Sequence, residues 1–111
     1  MPVMLRLGAV VMSVSDPRRA GAFWTEALAL DPDPRDPAFL VPRGATPGTR
    51  LHLDADDRTH LDLWADDRAD RDAQVERLLL LGARRVEWDY PDDADFVVLS
   101  DPDGTLFCVI G

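Results

Sequence analysis

The chain has 111 residues and a net charge of −9, from 18 Asp and 3 Glu against 12 Arg with no Lys. That length suits a single domain, residues 1–111, with a modest core, and so acidic a surface repels phosphate backbones and anionic lipid, which argues against nucleic-acid and membrane-surface roles. No apolar run approaches the ~18 residues of a membrane span, the opening MPVMLRLGAVVMSV lacks the cleavage pattern of a signal peptide, and a single cysteine, Cys108, excludes an internal disulfide and fits the reducing cytoplasm.

The first element is a strand in AVVMSVSD, Ala9 to Asp16, which alternates and is β-branched. Asp16-Pro17 then supplies an N-cap and a proline at the first helical position. Ala20, Phe23, Trp24, Ala27 and Leu28 follow at helical spacing and predict one buried stripe. The Pro-rich DPDPRDP ends that helix and opposes sheet pairing, so a strand there is expected to be missing or irregular. Ala38 to Pro42 and Thr49 to Asp54 are the next strands.

The pattern then repeats. HLDLWADD, His60 to Asp67, is again a strand ending in Asp, and a helix with Val75, Leu78 and Leu79 on one face follows. The offset from Asp16 to Asp67 also carries Trp24 to Val75, Ala27 to Leu78 and Leu28 to Leu79, so two βα units are repeated, about 5–57 and 58–111. Gly82 stops the second helix at C′. Arg84 to Tyr90, Asp95 to Ser100 and Thr105 to Ile110 are three further strands, separated by PDD and DPDG turns. GTRLHLD from Gly48 aligns with GTLFCVI from Gly104, which makes His52 and Cys108 equivalent.

Strand alternation sorts the side chains. Val10, Met12 and Val14, Leu51 and Leu53, and Leu61, Leu63 and Ala65 form apolar faces that must pack on the helices. The opposite faces carry Ser13, Arg50, His52, Asp54, His60, Asp62, Trp64 and Cys108, the make-up of a small-molecule cleft. Each residue also has an ordinary reading. His60 and Asp62 can be a pair that satisfies a half-buried strand. Arg50 with Asp54 can be a salt bridge worth about 0–1 kcal/mol. Cys108 can be an inert core thiol, and Trp64, like Trp24, plain core. Trp88 and Tyr90 share a face that can close the cleft or a dimer contact.

The order and spacing of SDPRRAGAFWTEAL, THLDLWADD, LLLLGARRV and LSDPDGTLFCVI resemble the vicinal oxygen chelate superfamily of glyoxalases, bleomycin-resistance proteins and extradiol dioxygenases. The likeness covers nearly the whole chain and is nearest to the small glyoxalase-like branch. It implies an α+β fold of two βαβββ units, the first short of one strand, forming a cupped mixed sheet around a cleft with two helices outside. It also implies pairing of such units across chains, hence a homodimer. In metal-dependent members of that superfamily, four strand positions hold a divalent ion. Here those positions carry Ala9, His52, His60 and Cys108, and Ala9 has no donor atom.

The usual metal set is therefore broken, and no metal is favoured. The expected function is binding of a small organic molecule, a drug or metabolite, through Ser13, Arg50, His52, Asp54, Trp64 and Cys108, with Trp64 as stacking platform. The alternative is a lyase, isomerase or hydrolase. It would be zinc-dependent through His52, His60 and Cys108, whose imidazoles and thiolate suit that ion, or metal-free with His60 as acid/base held by Asp62. A filled-cleft interaction module is the third reading. A triad built on Ser13 is set aside, because no nucleophile elbow or oxyanion loop surrounds it.

Overall fold

The structure, a computed structural model, describes residues 5–43 and 48–111. It is α+β, and its contacts divide the described residues into two compact units: Gly8–Thr59, and His60–Gly111 together with residues 5–7.

In the first unit the elements are β1 (Arg6–Ser13, from Gly8 onward in this unit), α1 (Pro17–Leu28), β2 (Leu30–Asp33), β3 (Asp36–Pro42) and β4 (Arg50–Asp54). The strand order is β2-β3-β4-β1, with β4 parallel to β1 and antiparallel to β3. Asp16 caps α1 as its sequence predicts: the carboxylate accepts the Arg19 N–H at 3.1 Å, and Pro17 opens the first turn. The helix ends at Ala29, whose φ of 54° lies in the left-handed region.

The core of this unit is Leu30, Leu40 and Leu53, with Met12, Val14, Ala20, Trp24 and Leu51 packed against it. Full burial of each leucine contributes about 1.5–3 kcal/mol. The helical stripe is narrower than predicted. Ala20 and Trp24 reach the core, whereas Phe23, Ala27 and Leu28 are exposed. Phe23 instead meets Trp24 edge to face at 5.0 Å, and the last turn leads into the reversal at Ala29 rather than onto the sheet. The strand expected to be missing or irregular is present as β2, and it is irregular: its register against β3 shifts between Pro32 and Asp33. Pro32 is tolerated because β2 is the outermost strand in this order.

The second unit contains β5 (His60–Trp64), α2 (Arg68–Leu80), β6 (Arg84–Arg85), β7 (Phe96–Ser100) and β8 (Leu106–Ile110), in the strand order β5-β8-β7-β6. Its pairing repeats that of the first unit, with β5 parallel to β8 and β8 antiparallel to β7. Asp67 caps α2 by accepting the Asp70 N–H at 2.8 Å. Gly82, at φ 115°, closes it with an N–H to the Leu79 carbonyl, as its position predicts. Val75, Leu99 and Val109 form the core, joined by Leu78 and Leu79. Arg71 is also buried, and its guanidinium donates to the Gly111 carbonyl at 3.1 Å.

One strand of this unit is shorter than its sequence suggests. Arg84 to Tyr90 yields only the two residues of β6, and Val86–Tyr90 has no strand structure. Continued pairing would have set Val86 opposite Val98, but the Val98 N–H donates to the Tyr90 hydroxyl at 2.8 Å instead. The DPDG turn forms as expected, with the Asp101 carboxylate accepting the N–H groups of Asp103 and Thr105 at 2.9 Å each. Among the described residues, no helix is long and apolar enough to cross a membrane.

Candidate functional site

In the second unit the parallel register sets Asp62 directly opposite Cys108 and Trp64 opposite Ile110. Alternation along β5 then turns His60, Asp62 and Trp64 to one face. His60 Nε2 lies 3.2 Å from Asp62 Oδ1, and the two side chains are only 10% and 14% exposed. Cys108 is a partly buried thiol outside any disulfide. One donor atom from each of His60, Asp62 and Cys108 lies within 4.8 Å of the others. An imidazole beside a carboxylate can accept and return a proton while keeping its orientation, and the thiol adds a soft donor or nucleophile.

Among the described residues, His60, Asp62 and Cys108 are the group whose donor atoms could hold a metal ion. His52 stands in the other unit, at β4, where it pairs with Phe39 in the ladder and stacks on that ring. The ring centroids are 4.1 Å apart and the planes 11° from parallel.

The rest of that β4 face also differs in its partners. Arg50 donates to Asp33 at 3.2 Å rather than pairing with Asp54. Asp33, with a side chain only 7% exposed, also accepts the Arg35 backbone N–H at 2.9 Å and the Arg35 guanidinium at 3.3 Å. The Arg35 backbone N–H first, and its guanidinium second, hold the Asp33 carboxyl below the ordinary carboxylate value, and Asp33 in return raises that of Arg35. Asp54 Oδ2 is 4.0 Å from His52 Nε2, beyond hydrogen-bond range.

Ser13 pairs with Asp54 in the β1–β4 register and is exposed, but its neighbours on the same face, Ala9 and Val11, are fully buried at 0% and 2%. Asp33 and Phe39 were missed because their contacts with Arg50 and His52 depend on strand order. Asp33 sits in the DPDPRDP stretch, where composition signals only a break.

The profile of the Glyoxalase-like domain matches residues 9–110. No curated protein sequence matches the chain. Among solved structures, an NAD-dependent benzaldehyde dehydrogenase from Legionella pneumophila aligns with a TM-score of 0.66 at 19% identity, over 92% of this chain and 96% of that one. An Mn(II)-bound glyoxalase from Novosphingobium aromaticivorans gives 0.57 at 21%, over 97% of this chain but only 38% of its own length. A methylmalonyl-CoA epimerase from Mycobacterium tuberculosis gives 0.56 at 18%, over 95% and 86%. At these identities the likeness is one of fold.

Proposed function

This chain belongs to the Glyoxalase-like domain family, and we propose that within it the protein binds a small organic molecule against the polar face of β5 and β8. One observation carries this reading: an imidazole, a carboxylate and a thiol are gathered within 4.8 Å on a strand face largely withheld from water. Burying such groups costs free energy unless they are paired or used. Trp64, on the same alternation, offers an aromatic surface for stacking. In the other unit Arg50 is engaged by Asp33, and His52 is stacked on Phe39.

The four metal positions implied by the family do not fit here. Ala9 offers a methyl group and is completely buried, so that set lacks a donor. A second reading, a metal-free isomerase or lyase, is favoured by the 3.2 Å contact between His60 and Asp62. His60 would move the proton, and Asp62 would hold the ring in place. We further propose that the protein works as a homodimer in the cytoplasm, where a cysteine thiol remains reduced.

The test is a thermal-shift panel of neutral and cationic metabolites, followed by calorimetric titration of each hit into wild type, His60→Ala and Trp64→Leu. Hits weakened tenfold or more in both variants support the reading. A panel without hits, or hits indifferent to both changes, overturns it.

A further inference from the structure

We propose that Cys108 is a nucleophile that captures neutral, planar α,β-unsaturated carbonyl compounds as covalent thioether adducts, with His60 carrying the proton and Asp62 positioning the ring. This rests on the reading above that the β5–β8 face is the working one, and adds to it a ligand class and a bond-forming step. All the groups involved belong to one unit.

The sulfur stands on the face away from the core of its unit. Val109 is part of that core with Val75 and Leu99, and Phe107 packs against it. Cys108 lies between these two in the chain, so strand alternation turns it to the opposite side. A thiol that merely filled this core would share their face. Asp62 is its parallel partner instead, and one donor atom each of His60, Asp62 and Cys108 lies within 4.8 Å of the others. An imidazole that close, directly or through one water, can take the thiol proton, and the thiolate is the nucleophilic form. His60 Nε2 is 3.2 Å from Asp62 Oδ1, which fixes the ring. Nucleophile and base are thus held by the strand ladder rather than by a flexible loop.

The surroundings select the electrophile. Trp64 follows Asp62 by two residues on the same side of β5 and gives a flat conjugated system a surface to stack on. Val98, the antiparallel partner of Cys108, is buried beside it and supplies an apolar wall. A net charge of −9 repels anionic compounds, so neutral ones are selected. Thiolate sulfur is soft and adds to the β-carbon of an enone or enal. The thiol proton passes to His60, the S–C bond forms as the C=C π pair moves onto the carbonyl as an enolate, and the imidazolium returns the proton to the α-carbon. The net change is addition of S–H across C=C, with no oxidant, reductant or leaving group.

The experiment adds 4-phenyl-3-buten-2-one, a neutral aryl enone, to the whole reduced chain with chelator present. Intact-mass and peptide mass spectrometry read the adduct, and its rate is compared with that of N-acetylcysteine at the same pH. One adduct per chain at Cys108 is expected, formed at a rate that saturates in probe and exceeds the reference thiol by about tenfold or more at low probe. Cys108→Ser should abolish it, and Cys108→Ala serves if the serine variant does not fold. His60→Gln should lower the limiting rate by about tenfold or more with the half-saturating concentration unchanged. Asp62→Asn should lower the same limiting rate and add nothing further to His60→Gln, as a positioning residue acting through the ring must. Trp64→Leu should raise the half-saturating concentration and spare the limiting rate. Circular dichroism of each variant separates lost reactivity from lost folding. No adduct, addition no faster than the reference thiol, or a rate indifferent to His60→Gln overturns the proposal. Organic hits that bind reversibly through His60 and Trp64 without any adduct would sink the covalent step alone. Addition faster than the reference but linear in probe, with no hit from the metabolite panel, would leave the nucleophile standing and sink the small-molecule reading.

Discussion

Asp33 and Arg50 meet at 3.2 Å although they sit on β2 and β4, with β3 lying between those strands in the sheet order. Their contact converts a Pro-rich segment, poor at pairing, into an edge strand tied by charge to an inner one. The low exposure of the carboxylate makes this tie sensitive to acid.

Acid stability should depend on Asp33. Its folded carboxyl titrates below the ordinary value of 3.8, so the unfolded chain takes up the proton more readily. The stabilisation is therefore complete above about pH 4 and is lost as pH falls through the folded value. Urea midpoints of wild type and Asp33→Asn, measured from pH 7 down to pH 2, should differ at neutral pH and converge in acid. A difference that stays constant across the range would remove Asp33 from the acid transition.

Arg71 ties α2 to the end of β8 from a buried position, donating to the Gly111 carbonyl. Replacing it with Ala should cost about 1.5–3 kcal/mol, the range for a hydrogen bond from a charged group. Denaturant titration at fixed pH measures this, and a loss below about 0.5 kcal/mol would show the contact to be dispensable.

Ala29 occupies a left-handed conformation that glycine adopts without steric cost. Ala29→Gly should stabilise the chain by about 0.5–1 kcal/mol, with the relief of strain exceeding the added freedom of the unfolded state. A lower melting temperature in the variant would contradict this.

Tyr90 holds the Val98 N–H where β6 stops short. Tyr90→Phe should cost about 1 kcal/mol, and hydrogen exchange at the Val98 amide should accelerate markedly. Unchanged protection at that amide would mean another group satisfies it.

Phe23 and Leu28 on α1 and Leu80 at the end of α2 are exposed, and β6 pairs with only two residues of β7. A homodimer that covers part of this surface should show twice the chain mass by light scattering at micromolar concentration. A monomer there would rule it out.

Local patterns carried much of this protein in its sequence. Period-two alternation separated Leu51 and Leu53 from His52, and it put His60 with Asp62, because side-chain direction in a strand depends only on residue parity. The capping aspartates Asp16 and Asp67, the stop at Gly82 and the DPDG turn were equally legible, since each acts within a few residues of itself. The repeat supplied the order of elements, and with it the family.

Partners were another matter. Arg50 chose Asp33 over Asp54, His52 found Phe39, and Asp62 met Cys108, each on another strand whose register no local pattern states. Whether an apolar residue on a helix is covered, as Trp24 is and Phe23 is not, likewise depends on where the sheet lies beneath it. Side-chain direction is decided by the residue's own backbone, but what that side chain meets is decided by segments distant in the chain, and only the folded sheet brings those together.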